Sequence, residues 1–258
     1  MRLLFTLFDA NGLRKNRIVS LIDTNTGKNL FLEIFDDLND NELYNGGGIA
    51  YSGDWLCIGV NSIYENNSYL LLFNFITGTT VLLNLPLSYN ISDIISIYPG
   101  QLYLCSRGTQ SLNNVSFSPI TGDFWGDQIH YKHPPNFFSV CTHQMRWYGT
   151  TSDSVIELTN NRVVYSGLNN PNNLFFNSSG RICFLEENKF YRGDDIFYYD
   201  SELTSIFEDI VYAGYWVYFK NFGFKFINYS GEIYEEVPFL YSQVSTIVGV
   251  RGYLNETI

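Results

Sequence analysis

From Tyr44 to Phe239 the chain writes one phrase five times: four short apolar segments separated by tight polar turns. Repetition of this kind constrains a fold more than any single motif does, because a unit of this size must bury its apolar faces against its neighbours. The first copy runs GGGIAYSGDWLCIGVNS and then SYLLLFNFITGTTVLLNLPL, turning at Ser52-Gly53-Asp54 and at Thr77-Gly78. The second runs SDIISIYPGQLYLCSRG and then NNVSFSPITGDFWGDQIHY, with its own Thr121-Gly122 turn. Further copies open at Asn136, Asn172 and Ser205. Four strands in roughly 30–48 residues is the period of a β-propeller blade.

The ends of the chain supply a sixth copy. LLFTLFDA, RIVSLIDTNTG and KNLFLEIF read as the second, third and fourth strands of a blade, and QVSTIVGVRGYL near the C-terminus reads as its missing inner strand. Closing a ring with a strand from the other terminus removes free sheet edges that invite aggregation. The expectation is one all-β domain over residues 1–258, a six-bladed propeller of four-stranded blades. Its blades fall at about 1–36 plus 243–258, 44–87, 91–132, 135–167, 171–200 and 203–240, near the period of known propellers. Seven short blades and a pair of β-sandwiches are the alternatives, and repetition between units argues against sandwiches.

Composition agrees: hydrophobic residues make up 45% and aromatic residues 17%, with 21 Phe and 20 Tyr. Ring side chains favour the pleated, half-buried surface of a strand. A net charge of −11 repels phosphate backbones and anionic lipid, which argues against nucleic-acid and membrane partners. Cys57, Cys105, Cys141 and Cys183 each lie inside an apolar strand phrase and never form a CxxC pair, so they read as buried free thiols. The N-terminal apolar run is too short for a signal peptide, and no stretch has the length of a membrane span. A monomeric, cytoplasmic protein is expected.

Aligning the inner strands without gaps puts Asp93, Asn136 and Asn172 in one channel-facing slot of three successive blades. The same slot falls near Gly46 in an earlier blade, near Phe207 or Glu208 in a later one, and near Gln243 in the closing one. Asp93, Asn136, Asn172, Arg107 and Gln243 are therefore the candidate ligand-binding residues. Convergent polar groups within an apolar rim make a default ligand site, and Phe137, Phe138, Trp147 and Phe207 would add stacking surface. The repeated Pro-Asn has a plainer reading as a turn into a strand. His130, His133 and His143 lie close in sequence, but His-x-x-His on a strand points to opposite faces. His133, beside the slot, is a candidate acid or base, with Glu208 and Asp209 as further catalytic candidates. Gly46, Gly47 and Gly48 do not join a strand to a helix, so they do not form a phosphate loop.

Two resemblances add to this reading. PNFFSVCTHQMRWYGT, from Pro135, is similar without a gap to the PNDG…V-D-x-x-G-R-x-W-x-G-T phrase of gluconolactonase/regucalcin-type propellers, in the NHL/strictosidine-synthase-like superfamily. PNNLFFNSSGRICFLE, from Pro171, resembles their PNG-L-x-F-S-x-D-G-x-x-L-Y phrase. The resemblance implies substrate contact for Asn136 and a divalent metal (Ca, Mn or Zn) on Asn172, with Asn136 and Asp93 as further ligands. The family's early acid is missing in YNGGGIAY, and its late acid is matched only by Glu208 or Asp209, out of register. SDIISIYPGQLYLCSRGTQSLNNVSFSPITGDFW, from Ser92, also resembles uncharacterised bacterial propellers, which imply no activity. The function expected is binding of a small polar molecule, such as a sugar, or of a protein partner. The alternative is a metal-dependent lactonase or other hydrolase.

Overall fold

Turns recur so often along this chain that only short extended runs fit between them. The computed structural model describes residues 2–8, 17–23, 29–34, 44–62, 67–74, 76–85, 90–106, 110–132, 138–209, 213–220 and 222–236. Among the described residues every regular element is a strand. The chain divides into two compact units, one of residues 35–138 with 250–258 and one of residues 1–34 with 139–249.

The 35–138 unit holds two four-stranded antiparallel sheets. One is β4 (Tyr44–Ser52), β5 (Trp55–Ser62), β6 (Ser68–Asn74) and β7 (Thr80–Asn84); the other is β8 (Ile91–Tyr98), β9 (Gln101–Ser106), β10 (Ser111–Phe117) and β11 (Phe124–Lys132). The 139–249 unit holds three more. These are β12 (Val140–His143) to β15 (Arg162–Ser166), β16 (Asn172–Phe176) to β19 (Asp195–Tyr198), and β20 (Leu203–Asp209) to β23 (Ile233–Glu236). In this unit β13 is Arg146–Thr150, β14 is Ser154–Glu157, β17 is Ile182–Glu186, β18 is Lys189–Arg192, β21 is Gly214–Phe219 and β22 is Gly223–Asn228. Each sheet is ordered as the chain runs, and first strands of successive sheets within a unit lie against each other, β4 with β8 and β12 with β16; these are the inner strands.

The expected six blades are corrected to five. Among the described residues, β1 (Arg2–Phe8), β2 (Arg17–Asp23) and β3 (Asn29–Ile34) form a sheet of three strands. Residues 243–258, expected to complete that sheet, lie outside the described residues.

Burial explains why the second strand of each blade reads as a continuous apolar run. β17 and β21 are buried at every position, and β5 and β9 nearly so, whereas the fourth strands β15 and β19 are mostly exposed. A strand covered on both faces needs apolar side chains on both, so the period-two alternation is lost. Trp55, Leu70, Ile94, Leu104 and Phe117 form the core of one unit; Leu185, Phe190, Tyr215, Val217 and Ile227 form that of the other. All four cysteines are buried free thiols within these strands.

Neighbouring blades are joined by named contacts of two kinds. The first lies along the inner strands. Gly48, with φ +101, passes so close to β8 that an added Cβ would stand 2.8 Å from the Ile94 nitrogen and 2.9 Å from Asp93 Cα. The Asn61 amide meets Ile91 both ways, donating to its carbonyl at 2.8 Å and accepting its N–H at 2.7 Å. In the other unit the Leu174 N–H donates to Ser139 Oγ at 3.0 Å, and Asn173 Nδ2 donates to the Thr204 carbonyl at 3.0 Å.

The second kind sits at the hairpin between third and fourth strands, where a glycine faces the preceding blade. The Trp55 and Val81 side chains pack on Gly122. Tyr165 donates its hydroxyl to the Gly193 carbonyl at 3.0 Å, and Tyr199 does the same to Gly231 at 3.1 Å. Gly231 has φ +85, and a Cβ there would run into the Phe197 ring. Burial pushes the Tyr199 hydroxyl up to about 12, so it stays a donor at any physiological pH.

Two substitutions test these joints. Tyr199→Phe removes one buried hydrogen bond and is expected to cost about 1 kcal/mol, lowering Tm by roughly 2–4 °C. Gly48→Ala meets backbone rather than a movable side chain, so about 3 kcal/mol is expected. Thermal melts followed by circular dichroism check both.

Candidate functional site

At one end of the 35–138 unit the two sheets bring four hairpin turns together. The β6–β7 and β10–β11 turns, NFITG and SPITG, fold alike because a polar side chain caps each. Asn74 Oδ1 accepts the Ile76 and Thr77 N–H groups at 3.0 Å, and Ser118 Oγ accepts those of Ile120 and Thr121 at 3.3 and 3.1 Å. Capping turns each isoleucine outward: Ile76 is 61% exposed and Ile120 85%.

Hydrogen bonds tie the turns into one surface. Ser52 Oγ donates to the Tyr98 carbonyl at 3.0 Å and accepts the Gly100 N–H at 2.9 Å. The Gly100 carbonyl accepts the Phe117 N–H at 2.8 Å, and Trp55 Nε1 donates to the Pro119 carbonyl at 2.8 Å. Tyr98, 64% exposed, is displayed beside them.

Trp125 lies on β11, two residues past Asp123 of the β10–β11 turn. Phe117 pairs with Phe124 and Ser116 with Gly126, so Trp125 is the extra residue of a β-bulge, and it is 67% exposed. Bulges re-aim a side chain, and here the bulge turns an indole to solvent on an outer strand. Reading the sequence alone misses this residue, since a tryptophan in an apolar strand reads as core. The signal lies next to it: Gly126 interrupts the strand.

Charge on this unit is mostly acidic. Residues 35–138 carry nine Asp and Glu against Arg107 and Lys132, a net of −7. Asp54 and Asp123 stand exposed in the turns themselves. Asp123 Oδ2 accepts the Thr121 hydroxyl at 2.7 Å.

The residues singled out from sequence are distributed as follows. Asp93 lies in the 35–138 unit, 6% exposed, its Oδ1 accepting the Ile94 N–H at 2.9 Å against Gly48. Asn172 lies in the other unit, half-buried, donating to the Asn170 carbonyl at 3.4 Å and accepting Asn173 Nδ2 at 2.8 Å. Asn136, Arg107, His133, Phe137 and Gln243 lie outside the described residues, as do the side chains of His130, Phe207 and Asp209. Counting ladder partners back from the pairs that close the first hairpins (Tyr98 with Gln101, His143 with Arg146 and Asn177 with Arg181), Asp93 opposite Cys105 stands level with Ser139 opposite Thr150 and with Asn172 opposite Leu185. One bulge in β8 and one in β16 keep Asp93 and Asn172 level, whereas β12 pairs without a bulge and brings Ser139, three residues past Asn136, to the same level.

Glu208 is engaged by the neighbouring blade. It accepts the Ser178 N–H at 2.6 Å, the Ser178 hydroxyl at 2.7 Å and the Tyr229 hydroxyl at 2.9 Å. Nearby, burial pushes the Cys183 thiol up to about 12, with the Glu208 charge adding to it, and burial lifts Tyr215 to about 12. Neither is an activated nucleophile at neutral pH. Trp147 is buried, and His143 stacks on Phe176 with centroids 4.3 Å apart. Among the described residues no three His, Cys, Asp or Glu side chains group as a cation site.

Glu186 is a buried carboxylate held by three donors. Burial opposes its charge, but the Tyr191 hydroxyl, the Lys189 ammonium and the Asn169 N–H outweigh burial and leave it below its ordinary value of 4.5. A carboxyl depressed by folding stabilises the fold above its unfolded pKa, and that stability is lost as pH falls through the folded value. Wild-type stability should therefore drop below about pH 4.5, and Glu186→Gln should flatten that drop while costing stability at pH 7. Chemical denaturation at a series of pH values measures it. At the inner strands, Asn173→Ala should cost about 1 kcal/mol more than Asn172→Ala, because only Asn173 bonds across to the next blade.

No protein-family model and no curated protein matches the chain in sequence, so the likeness to gluconolactonase-type propellers rests on two phrases and is not shown. Solved structures do match. A chain of the nidogen/laminin complex aligns with TM-score 0.63 and 9% identity over 91% of this chain and 92% of that one. The β-propeller domain of Myceliophteria thermophila Cps50 aligns with TM-score 0.58 and 10% identity, over 90% and 85%. Virginiamycin B lyase from Staphylococcus aureus aligns with TM-score 0.52 and 14% identity, over 79% and 76%. At such identities the likeness shows the fold: the chain is a β-propeller of four-stranded blades.

Proposed function

We propose that this propeller is a binding module whose partner is another protein, docked on the turn face of the 35–138 unit. Trp125 on its bulge carries the reading. An exposed indole, with Ile76, Tyr98 and Ile120 exposed at the turns of the same unit, leaves apolar area in water, and a partner that covers it recovers that cost. Tryptophan and tyrosine are also the side chains on which docking energy concentrates. The fold itself is neutral on the point, since propellers serve in complexes, such as nidogen/laminin, and as enzymes, such as the lyase.

The test compares three immobilised proteins in partner capture: wild type, Ile120→Ser/Trp125→Ser, and Asn172→Ala. A partner held by wild type and by Asn172→Ala should be lost from the double variant. Both replaced side chains are exposed, so the melting temperature should shift little, with a stability change within about 0.5 kcal/mol per site. Undiminished capture by the double variant overturns the reading; selective loss in Asn172→Ala would move the site to the inner strands.

A further inference from the structure

We infer that what docks on this face is a basic segment of the partner: a short stretch in which Lys or Arg flanks an apolar or aromatic anchor. This rests on the docking reading and adds the partner's chemistry to it. Apolar contact alone would accept many segments; the acidic charge of the turns selects among them.

Three observations carry the inference. No Lys or Arg occurs from residue 44 to 106 or from 108 to 131, so the β4–β5, β6–β7, β8–β9 and β10–β11 turns carry only acidic formal charge. The two exposed acids bracket the apolar contact: Asp54 precedes Trp55, whose ring packs on Gly122, and Asp123 follows that glycine. Asp54 has no hydrogen bond or ion pair among the described residues, and one oxygen of Asp123 is taken up by Thr121. A Lys or Arg arriving there meets carboxylates that no cation among the described residues neutralises. An indole this exposed also offers a ring to an ammonium or guanidinium group.

The same charges decide against other occupants. A second copy of this chain would bring a further −11 against the −7 of this unit, and like charges set face to face oppose association. Phosphate-rich surfaces are repelled on the same ground.

A random linear-peptide library panned on the full-length protein, with the Trp125→Ser protein as counter-selection, tests this without presuming a partner. Enriched peptides should carry Lys or Arg next to an apolar anchor. Their binding should weaken when salt rises from about 0.05 to about 0.5 M, and should fall roughly tenfold in Asp54→Asn/Asp123→Asn. Enriched peptides that depend on Trp125 but are neutral or acidic overturn the basic-segment inference and leave the docking face standing. Peptides that bind wild type and Trp125→Ser equally overturn the docking reading, and this inference with it. Absence of any enrichment overturns the inference, as does self-association that Trp125→Ser abolishes, which would identify a second copy as the occupant.

Discussion

Adjacent sheets approach closely where Gly48, Gly122 and Gly231 stand, because a side chain at any of the three would run into the neighbouring blade. Gly122, Gly193 and Gly231 occupy corresponding hairpins between third and fourth strands, and each is met from the preceding blade: Gly122 by Trp55 and Val81, Gly193 by the Tyr165 hydroxyl, Gly231 by the Tyr199 hydroxyl and the Phe197 ring. The contact is apolar in one unit and hydrogen-bonded in the other, but it joins the same two elements of successive blades. Covering both faces of a blade in this way is what lets its second strand be apolar at nearly every position. The inner strands add Gly48, Asn61, Ser139 and Asn173 to the same purpose. With its blades held by contacts of this kind, a rigid scaffold can carry short turns whose side chains face outward.

How much of this the sequence discloses depends on whether a residue's role is local. Thr77-Gly78 and Thr121-Gly122 announce their turns because Gly at positive φ is a local requirement, and the four-strand repeat follows from them. The blade count does not follow. Three N-terminal strands look the same in sequence whether or not a fourth from elsewhere joins them, and the structure shows five four-stranded blades with a separate three-stranded sheet.

Register is harder still. An alignment without gaps sets Asp93, Asn136 and Asn172 in one slot; a bulge between Ser96 and Tyr98 and another between Asn172 and Phe175 keep Asp93 and Asn172 level, but β12 lacks such a bulge and brings Ser139 to that level. Bulges insert one residue without a strong compositional mark. The same blindness hides Trp125, whose exposure is a bulge effect that hydrophobicity alone misreads. Of the residues picked from sequence, Glu208 turns out to join blades, and Asp93 lies against the glycine of the neighbouring inner strand.

The cysteines lead to a different kind of consequence. Cys57 and Cys105 lie in one unit and Cys141 and Cys183 in the other, all within strands and none more than 6% exposed. Burial also raises the Cys57 and Cys183 thiols well above their ordinary range, so they stay protonated and slow to react while the strands around them are closed. A thiol reagent can reach them only during a local opening, which makes the rate of modification at each a clock for the unit that encloses it. Each half of the molecule thus carries its own reporter of breathing, read without adding a label that would disturb it.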